Sequence, residues 1–170
     1  AAAKFAASAY GRMFHALYQT PVSIARLFMV YGPGQQDLQK LVPYVILSLL
    51  RKEVPKLSSG KREVGWLYVE GVVDGLIAIA QTASREGCTI DLGSGSLVPI
   101  RTVVQIITGM VDSEVVPAFG STPDRPMEQV RVADTEKTYS AIGWKPATSL
   151  EKGLESTVVW YRDQLRKQKK

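Results

Sequence analysis

The sequence predicts an α/β fold in which parallel strands alternate with helices along one structural unit, residues 1–170. Short apolar segments typical of strands are separated by longer segments with helical periodicity. Glycine and proline residues that favour turns lie between them. Because strands that alternate with helices usually pair in parallel, we expect a partial parallel sheet with helices packed against it.

The predicted strands are mostly apolar, as expected for strands that are covered on both faces. The first of them ends at a loop signal, Tyr31-Gly32-Pro33-Gly34, and a later one ends at Gly93-Ser94-Gly95. In chain order, the strands are predicted at 22–30, 66–69, 88–92 and 114–119.

The predicted helices have apolar residues at helical spacing or local signals at their ends. Pro99 favours a helix start, because proline is tolerated in the first turn. Asp134 is a capping residue type, and Gly143 indicates the end of the same helix. The run Thr148-Ser149-Leu150-Glu151 fits a capping box for the last helix. In chain order, the helices are predicted at 4–18, 38–50, 72–83, 99–107, 134–141 and 149–166.

The composition is that of a globular domain that binds neither nucleic acid nor a membrane. Hydrophobic residues make up 45% and charged residues 22% of the chain. The net charge is +5, and part of it lies in a basic tail, 162–170, predicted to be a solvated, frayed helix end. No basic face with interleaved aromatic residues is evident, and the apolar runs are shorter than the ~20 residues of a membrane span. The positive charge fits an anionic small molecule.

Cysteine and histidine usage argues against a disulfide and a metal site. Cys88 is the sole cysteine, so an intrachain disulfide is impossible, and we expect a reducing, cytoplasmic location without a signal peptide. Its apolar surroundings predict a small core residue. His15 is the sole histidine and has no cluster of cysteine or carboxylate residues near it, so no metal is expected.

A series of motifs gives the chain a family resemblance. In chain order they are Lys4-Phe5-Ala6-Ala7, the run 26–33, the run 67–73, Asp91-Leu92-Gly93-Ser94-Gly95, Asp124-Arg125-Pro126-Met127-Glu128 and the run 142–154. In this order they resemble the C-terminal half of the extended short-chain dehydrogenase/reductase family, nearest to its NAD-dependent nucleotide-sugar epimerases and dehydratases. The resemblance covers nearly the whole chain. It implies a partial Rossmann-like parallel sheet plus a small C-terminal substrate-binding region.

The resemblance implies a catalytic and cofactor-binding role for Lys4. In the family, a lysine and a tyrosine lie four residues apart on one helix face, and that tyrosine would stand one residue before Ala1, outside the chain. The lysine lowers the pKa of the tyrosine and binds the nicotinamide ribose. Considered without the resemblance, a lone helical lysine is typical of a surface charge.

Three residues of the first strand correspond to ligand contacts in the family. The resemblance implies that Phe28 and Val30 flank the nicotinamide, whereas periodicity alone predicts buried strand residues. Met29 occupies a substrate-binding position that is commonly asparagine in the family, and methionine cannot make the same hydrogen bonds. The alternative for Met29 is core packing.

Two further segments correspond to the part of the family site that binds the nucleotide. Relatives usually carry Arg-Asp where this chain has Val64-Gly65, and only a loop shift would let Arg62 bind phosphate instead. The alternative for Arg62 is an exposed loop charge. By resemblance, Arg125 approaches a phosphate and Glu128 holds the ribose hydroxyls. The alternative for these two residues is a loop ion pair without a ligand.

The resemblance also shows which parts of the family enzyme are missing. The 170 residues contain no G-x-G-x-x-G motif, so we expect NAD(P), the family cofactor, not to bind this chain alone. The resulting hypothesis is the substrate-binding portion of an NAD-dependent nucleotide-sugar epimerase or dehydratase, inactive alone. Its expected partners are a nucleotide sugar and either a second copy or a separate N-terminal half, since an uncovered sheet edge and apolar face favour association. The alternative is a stand-alone, non-catalytic binding or self-associating module.

Overall fold

Helices and strands alternate in the computed structural model, which describes residues 2–83 and 86–168. The helices are α1 (Ala2–Tyr18), α2 (Leu41–Leu50), α3 (Val69–Gln81), α4 (Ile100–Val111), α5 (Thr135–Ile142) and α6 (Leu150–Gln168). The strands are β1 (Ile24–Leu27), β2 (Met29–Tyr31), β3 (Lys56–Leu57), β4 (Glu63–Val64), β5 (Trp66–Tyr68), β6 (Thr89–Leu92), β7 (Val98–Pro99) and β8 (Ala118–Phe119).

Most strand pairs are parallel, which confirms the predicted α/β class. β1 pairs with β6, β2 with β5 and β3 with β8, all in parallel. The pair of β4 with β7 is antiparallel. Each of these pairs forms a separate two-stranded ladder in the described part of the chain.

The predicted strand 22–30 is divided at Phe28, where it changes neighbours. The Phe28 amide donates to the Leu92 carbonyl of β6 (3.1 Å), and the next amide, of Met29, donates to the Gly65 carbonyl before β5 (3.1 Å). The expectation that this strand is covered on both faces is wrong at Leu27 and Met29, whose side chains are exposed. The described part of the chain leaves these positions uncovered.

Other element boundaries also differ from the prediction: α3 begins at Val69 rather than at residue 72, α4 ends at Val111 rather than at residue 107, and β3, β4 and β7 form where no strand was predicted. The helix predicted from residue 38 begins at Leu41, because Lys40 has extended backbone angles and its amide closes a turn onto the Asp37 carbonyl (3.1 Å). The strand predicted at 114–119 is reduced to Ala118–Phe119, since β3, its pairing partner, is itself only two residues long.

The prediction for Cys88 is wrong. The residue lies just before β6, and its side chain is exposed. The apolar character of 88–92 reflects burial of Ile90 and Leu92, which alternate with half-buried residues along the strand.

The caps predicted for α5 are confirmed, whereas α6 begins at Leu150 and is capped by Ser149 rather than by the predicted box from Thr148 to Glu151. The Asp134 side chain accepts a hydrogen bond from the Lys137 amide (2.9 Å) at the start of α5, and Gly143 ends the helix in the left-handed region. At the start of α6, the Ser149 hydroxyl accepts from the Lys152 amide (3.3 Å). α6 continues through most of the basic tail to Gln168; Lys169 and Lys170 lie outside the described residues.

The larger core cluster lies where α2, α4 and α6 pack on one another and on the aromatic end of β2 and β5. Its members include Ile46, Val103, Ile107, Leu154 and Val158, all almost fully buried. Burial of such side chains stabilises the fold by about 1.5–3 kcal/mol each. This cluster fixes the three helices to the strands that lead into the site.

A second cluster joins α3 to β6 and contains Trp144. The Trp144 ring packs on α3, where a Cβ added at Gly75 would lie 3.2 Å from Trp144 and 2.8 Å from Leu92. The missing side chain at Gly75 is what lets the indole and the strand approach the helix.

α1 packs near β1 through Gly11 and His15. Gly11 allows close approach to Val22 and Ile24, and the half-buried His15 ring contacts Gly87, with Nδ1 3.0 Å from the Thr20 carbonyl oxygen. No described residue of α1 is buried. The apolar residues on this helix therefore remain available for a partner.

We predict that Leu154→Ala lowers the free energy of unfolding by about 3 kcal/mol, because it leaves a cavity between α6, α2 and α4. Chemical denaturation followed by circular dichroism measures the change. The control is Val159→Ala on the same helix, where the side chain is exposed and the expected loss is below about 0.5 kcal/mol. Equal losses for the two variants would contradict the described core.

Candidate functional site

A cleft of about 580 Å³ opens at the carboxyl end of β2. Its walls come from the end of β2, the start of α2, the segment from β3 to β4, and the loop that follows β8. The lining residues fall in the ranges 29–32, 35–44, 56–66 and 122–128, together with Ile100. The carboxyl ends of parallel strands are where open α/β sheets bind ligands, so this cleft is the candidate site.

Cations outnumber carboxylates along the cleft. The basic lining residues are Lys40, Lys56, Arg62 and Arg125, and the acidic ones are Asp37 and Glu128. Both carboxylates are paired: Asp37 lies 3.6 Å from the Lys40 ammonium, and Glu128 pairs with the Arg62 guanidinium. Lys56 and Arg125 have no ion-pair partner among the described residues. The cleft therefore presents uncompensated positive charge to a ligand.

The loop after β8 is attached to the opposite side of the cleft by hydrogen bonds. The Ser121 hydroxyl accepts from the Leu57 amide (3.0 Å), and the Asp124 carboxylate accepts from the Ser59 amide (3.0 Å). Hydrogen bonds from Ser59 lower the pKa of the Asp124 carboxyl, which keeps it ionised and accepting at neutral pH. These contacts place the next residue, Arg125, at the cleft.

The structure brings five of the sequence-predicted site residues to one place. Met29, Val30, Arg62, Arg125 and Glu128 all line the cleft. The Met29 side chain is 39% exposed, so it faces the cleft and is not part of the core. The side chains of Arg62 and Glu128 are 28% and 30% exposed and form an ion pair. The alternative given for this loop was an ion pair between Arg125 and Glu128, but in the structure the partner of Glu128 is Arg62.

Lys4 and Phe28 do not line this cleft. Lys4 is exposed in the first turns of α1, and its side chain makes no hydrogen bond or ion pair with the described residues. The Phe28 ring lies over Gly93, where an added Cβ would be 3.0 Å from it. The catalytic and cofactor-binding roles of these two residues remain predictions.

Val64 points into the core and offers no group to the cleft. It is buried in β4, whereas Glu63 beside it is exposed. Arg62 lies just before this strand and lines the cleft. That it binds a phosphate there remains a prediction.

Sequence reasoning missed Lys56 and Tyr31 as cleft residues. Lys56 falls in a segment predicted only as polar loop, and nothing in its local pattern indicates that it faces a ligand. Tyr31 was assigned to a turn, but it is buried at the end of β2 and donates from its hydroxyl to the Leu150 carbonyl (3.1 Å). The signal for Tyr31 was its place at the end of an apolar strand.

Metal binding and membrane insertion gain no support from the geometry. Within 2–83 and 86–168, no three His, Cys, Asp or Glu side chains are arranged so that they would hold a metal ion. Over the same residues, no helix combines the length and apolar character that crossing a bilayer requires.

Comparison with known proteins gives the family. Residues 1–93 match the model of the NAD dependent epimerase/dehydratase family. The chain belongs to this family. The resemblance inferred from the ordered motifs is thereby confirmed.

Curated relatives of this epimerase/dehydratase chain are about twice as long as the chain. It is 33% identical over 159 residues to dTDP-glucose 4,6-dehydratase 1 of Escherichia coli strain K12, a match that covers 88% of the chain and 43% of the relative. It is 24% identical to UDP-glucuronate 4-epimerase of Thermodesulfobacterium geofontis, with 97% of the chain and 50% of the relative covered. The chain thus spans about half the length of the curated relatives it matches.

Solved structures agree with this family fold. An epimerase of Methanothermobacter thermautotrophicus superposes with a TM-score of 0.87 at 24% identity, over 94% of the chain and 48% of that structure. MoeE5, solved in complex with UDP-glucuronic acid and NAD, superposes with a TM-score of 0.84 at 27% identity, over 94% of the chain and 54% of MoeE5. The described architecture is therefore about half of a Rossmann-like epimerase fold.

Proposed function

We propose that this chain is the substrate-binding portion of an NAD-dependent nucleotide-sugar epimerase or dehydratase, and that the cleft at the end of β2 binds the nucleotide sugar. The observation that carries the proposal is the convergence of Met29, Arg62, Arg125 and Glu128 on one cationic cleft. A nucleotide diphosphate is an anion of suitable size for this cleft. The names of the relatives and the UDP-glucuronic acid in MoeE5 support the same ligand class.

Each cleft residue has a role that its chemistry allows. The Arg125 guanidinium is free to donate two parallel hydrogen bonds to a phosphate, and Lys56 adds a second uncompensated cation. The Glu128 carboxylate is a suitable acceptor for the two hydroxyls of a ribose. Met29 offers the sugar an apolar contact and no hydrogen bond.

The proposal assigns NAD(P) to the whole enzyme and not to this chain alone. When NAD(P) is bound in a complete enzyme of the family, it accepts and returns the hydride. The residues of this chain do not form a cradle for a dinucleotide: the sequence has no glycine-rich phosphate motif, and Lys4 is exposed without contact to the cleft. The proposed contributions toward the cofactor are Lys4, Phe28 and Val30, in a complete enzyme only.

The proposed location is the cytoplasm. Cys88 is an exposed thiol, and it is the sole cysteine of the chain. A free, exposed thiol supports a reducing compartment.

We predict that Arg125→Ala weakens binding of UDP-glucose or dTDP-glucose by about tenfold to a hundredfold, because a hydrogen bond to a charged group contributes about 1.5–3 kcal/mol. Isothermal titration calorimetry measures the affinity. Arg131→Ala is the matched control, since Arg131 is exposed, has Gln129 as its side-chain partner among the described residues and does not line the cleft. Similar losses in the two variants would indicate a general charge effect and contradict the proposal.

We predict that the isolated 170-residue chain does not turn over UDP-glucose or dTDP-glucose when NAD⁺ is supplied, because it lacks a dinucleotide cradle. Chromatographic analysis of the sugar products, with a complete family enzyme as positive control, tests this. A 4-epimer or a 4-keto-6-deoxy product formed by the chain alone would refute the inactivity.

A stand-alone binding or self-associating module is the second candidate, and the surface of α1 favours it. Phe5 is 73% exposed, and Leu17 and Tyr18 on the same helix are also well exposed. Apolar side chains at this density on one helix are typical of an interaction surface. A second copy of the chain or a separate N-terminal half would cover them.

We predict that the chain forms a dimer or larger oligomer at micromolar concentration and that Leu17→Glu shifts it toward monomer, since a charge on this apolar surface disfavours burial. Sedimentation velocity measures the distribution. The control is Val116→Glu, an exposed apolar position after α4 and away from α1. A wild-type chain that remains monomeric at all concentrations would contradict self-association.

A further inference from the structure

The ion pair of Arg62 with Glu128 joins two walls of the cleft. Arg62 lies in the segment that leads into β4, and Glu128 lies in the loop after β8. Both residues line the cleft, and both side chains are roughly 70% shielded from solvent, with 28% and 30% exposed. The Arg62 guanidinium is therefore paired with a carboxylate of the same chain.

The two partners are held very differently. The Arg62 carbonyl accepts from the Ile100 amide (3.0 Å), and nearby the Arg101 amide donates to the Gly60 carbonyl (2.9 Å), so this segment is fixed to the start of α4. Arg62 thus presents its side chain from a well-anchored backbone. The guanidinium is the permanent feature of the cleft.

Glu128 lies in a segment with few attachments. The hydrogen bond that attaches this loop before Glu128 is donated by the Ser59 amide to the Asp124 carboxylate. The neighbouring Met127 is 98% exposed, and its backbone is in the left-handed region (φ 61°). Among the described residues, Arg62 is the partner of the Glu128 side chain. The carboxylate is thus held at the cleft mainly by the ion pair itself.

A phosphate-bearing ligand would compete directly for Arg62. Partly exposed ion pairs contribute little free energy, because solvent screens them and the long side chains lose conformational freedom. The planar guanidinium matches two phosphate oxygens as well as it matches a carboxylate, and a diphosphate has more charge. Arg125 and Lys56 in the same cleft would hold the ligand beside it.

We propose that Glu128 masks Arg62 in the ligand-free chain, and that the diphosphate of an incoming nucleotide displaces the carboxylate and takes Arg62 as a binding residue. This exchange leaves Glu128 free to accept hydrogen bonds from the ribose hydroxyls. The inference rests on the proposed function, because it requires a ligand with a diphosphate in this cleft.

The test measures binding of inorganic pyrophosphate and of UDP-glucose by calorimetry to the wild-type chain, Glu128→Gln, Arg62→Ala and the double variant. We expect Glu128→Gln to bind pyrophosphate at least threefold more tightly than wild type, because Arg62 is no longer masked. In the Arg62→Ala background, the same glutamate substitution should have no effect. If Arg62→Ala does not fold, Arg62→Met, which keeps most of the aliphatic stem, takes its place.

Glu63→Gln is the matched control, since it removes the same charge one residue away from Arg62 at a position outside the cleft. The proposal is overturned if Glu128→Gln does not tighten pyrophosphate binding, or if it does so equally in the Arg62→Ala background or in the control. If wild type binds UDP-glucose but Glu128→Gln has no Arg62-dependent effect on pyrophosphate binding, the masking is overturned and the proposed function stands. Tighter pyrophosphate binding through Arg62 without any UDP-glucose binding would support the masking and overturn the nucleotide-sugar function.

Discussion

Tyr31 joins the strand that forms the cleft to the C-terminal helix, and the rest of the structure depends on this contact. Its hydroxyl donates to the Leu150 carbonyl at the start of α6 (3.1 Å), and its ring contacts those of Trp66 (centroids 6.2 Å apart) and Tyr68 (5.7 Å) on β5. Burial raises the pKa of the Tyr31 phenol, so the hydroxyl remains a neutral donor. The absence of a side chain at Gly153 leaves room for it.

This contact positions the helical core relative to the site. Because α6 is attached to the end of β2, the cluster in which α2, α4 and α6 pack together lies directly beside the cleft. The start of α2 forms one wall, and the start of α4 anchors the segment that carries Arg62. The hydrophobic core therefore supports the cationic side of the cleft, while the loop bearing Glu128 is attached by a few polar contacts.

An anchored cation opposite a loosely attached carboxylate is an arrangement suited to ligand exchange. Removing one partner of a fully buried ion pair is costly, whereas a pair that is about 30% exposed is easily replaced by a stronger anion. Val64 is buried in β4, whereas Arg62, just before that strand, lines the cleft. This chain thus combines the family fold with its own distribution of charge.

Features set by interactions within a few residues were predicted correctly, and features set by contacts between distant residues were not. Asp134 and Gly143 marked the ends of α5 correctly, because a cap is a hydrogen bond or a backbone conformation within a few residues. The division of the first strand at Phe28 was not predictable, since it depends on which of two distant strands supplies the next carbonyl. Cys88 was misplaced for a related reason: apolar local sequence does not indicate which surface a side chain meets.

For the site, the sequence by itself determined the family, the α/β class and five of the residues that line the cleft, because those are properties of motif order and residue type. Only the tertiary structure decided that Arg62 reaches the cleft, that Glu128 is its partner, and that Lys4 lies exposed and apart from both. The reason is physical. Charge and hydrogen-bonding capacity belong to each side chain, but a pairing between residues far apart in the chain exists only after packing has set their distance.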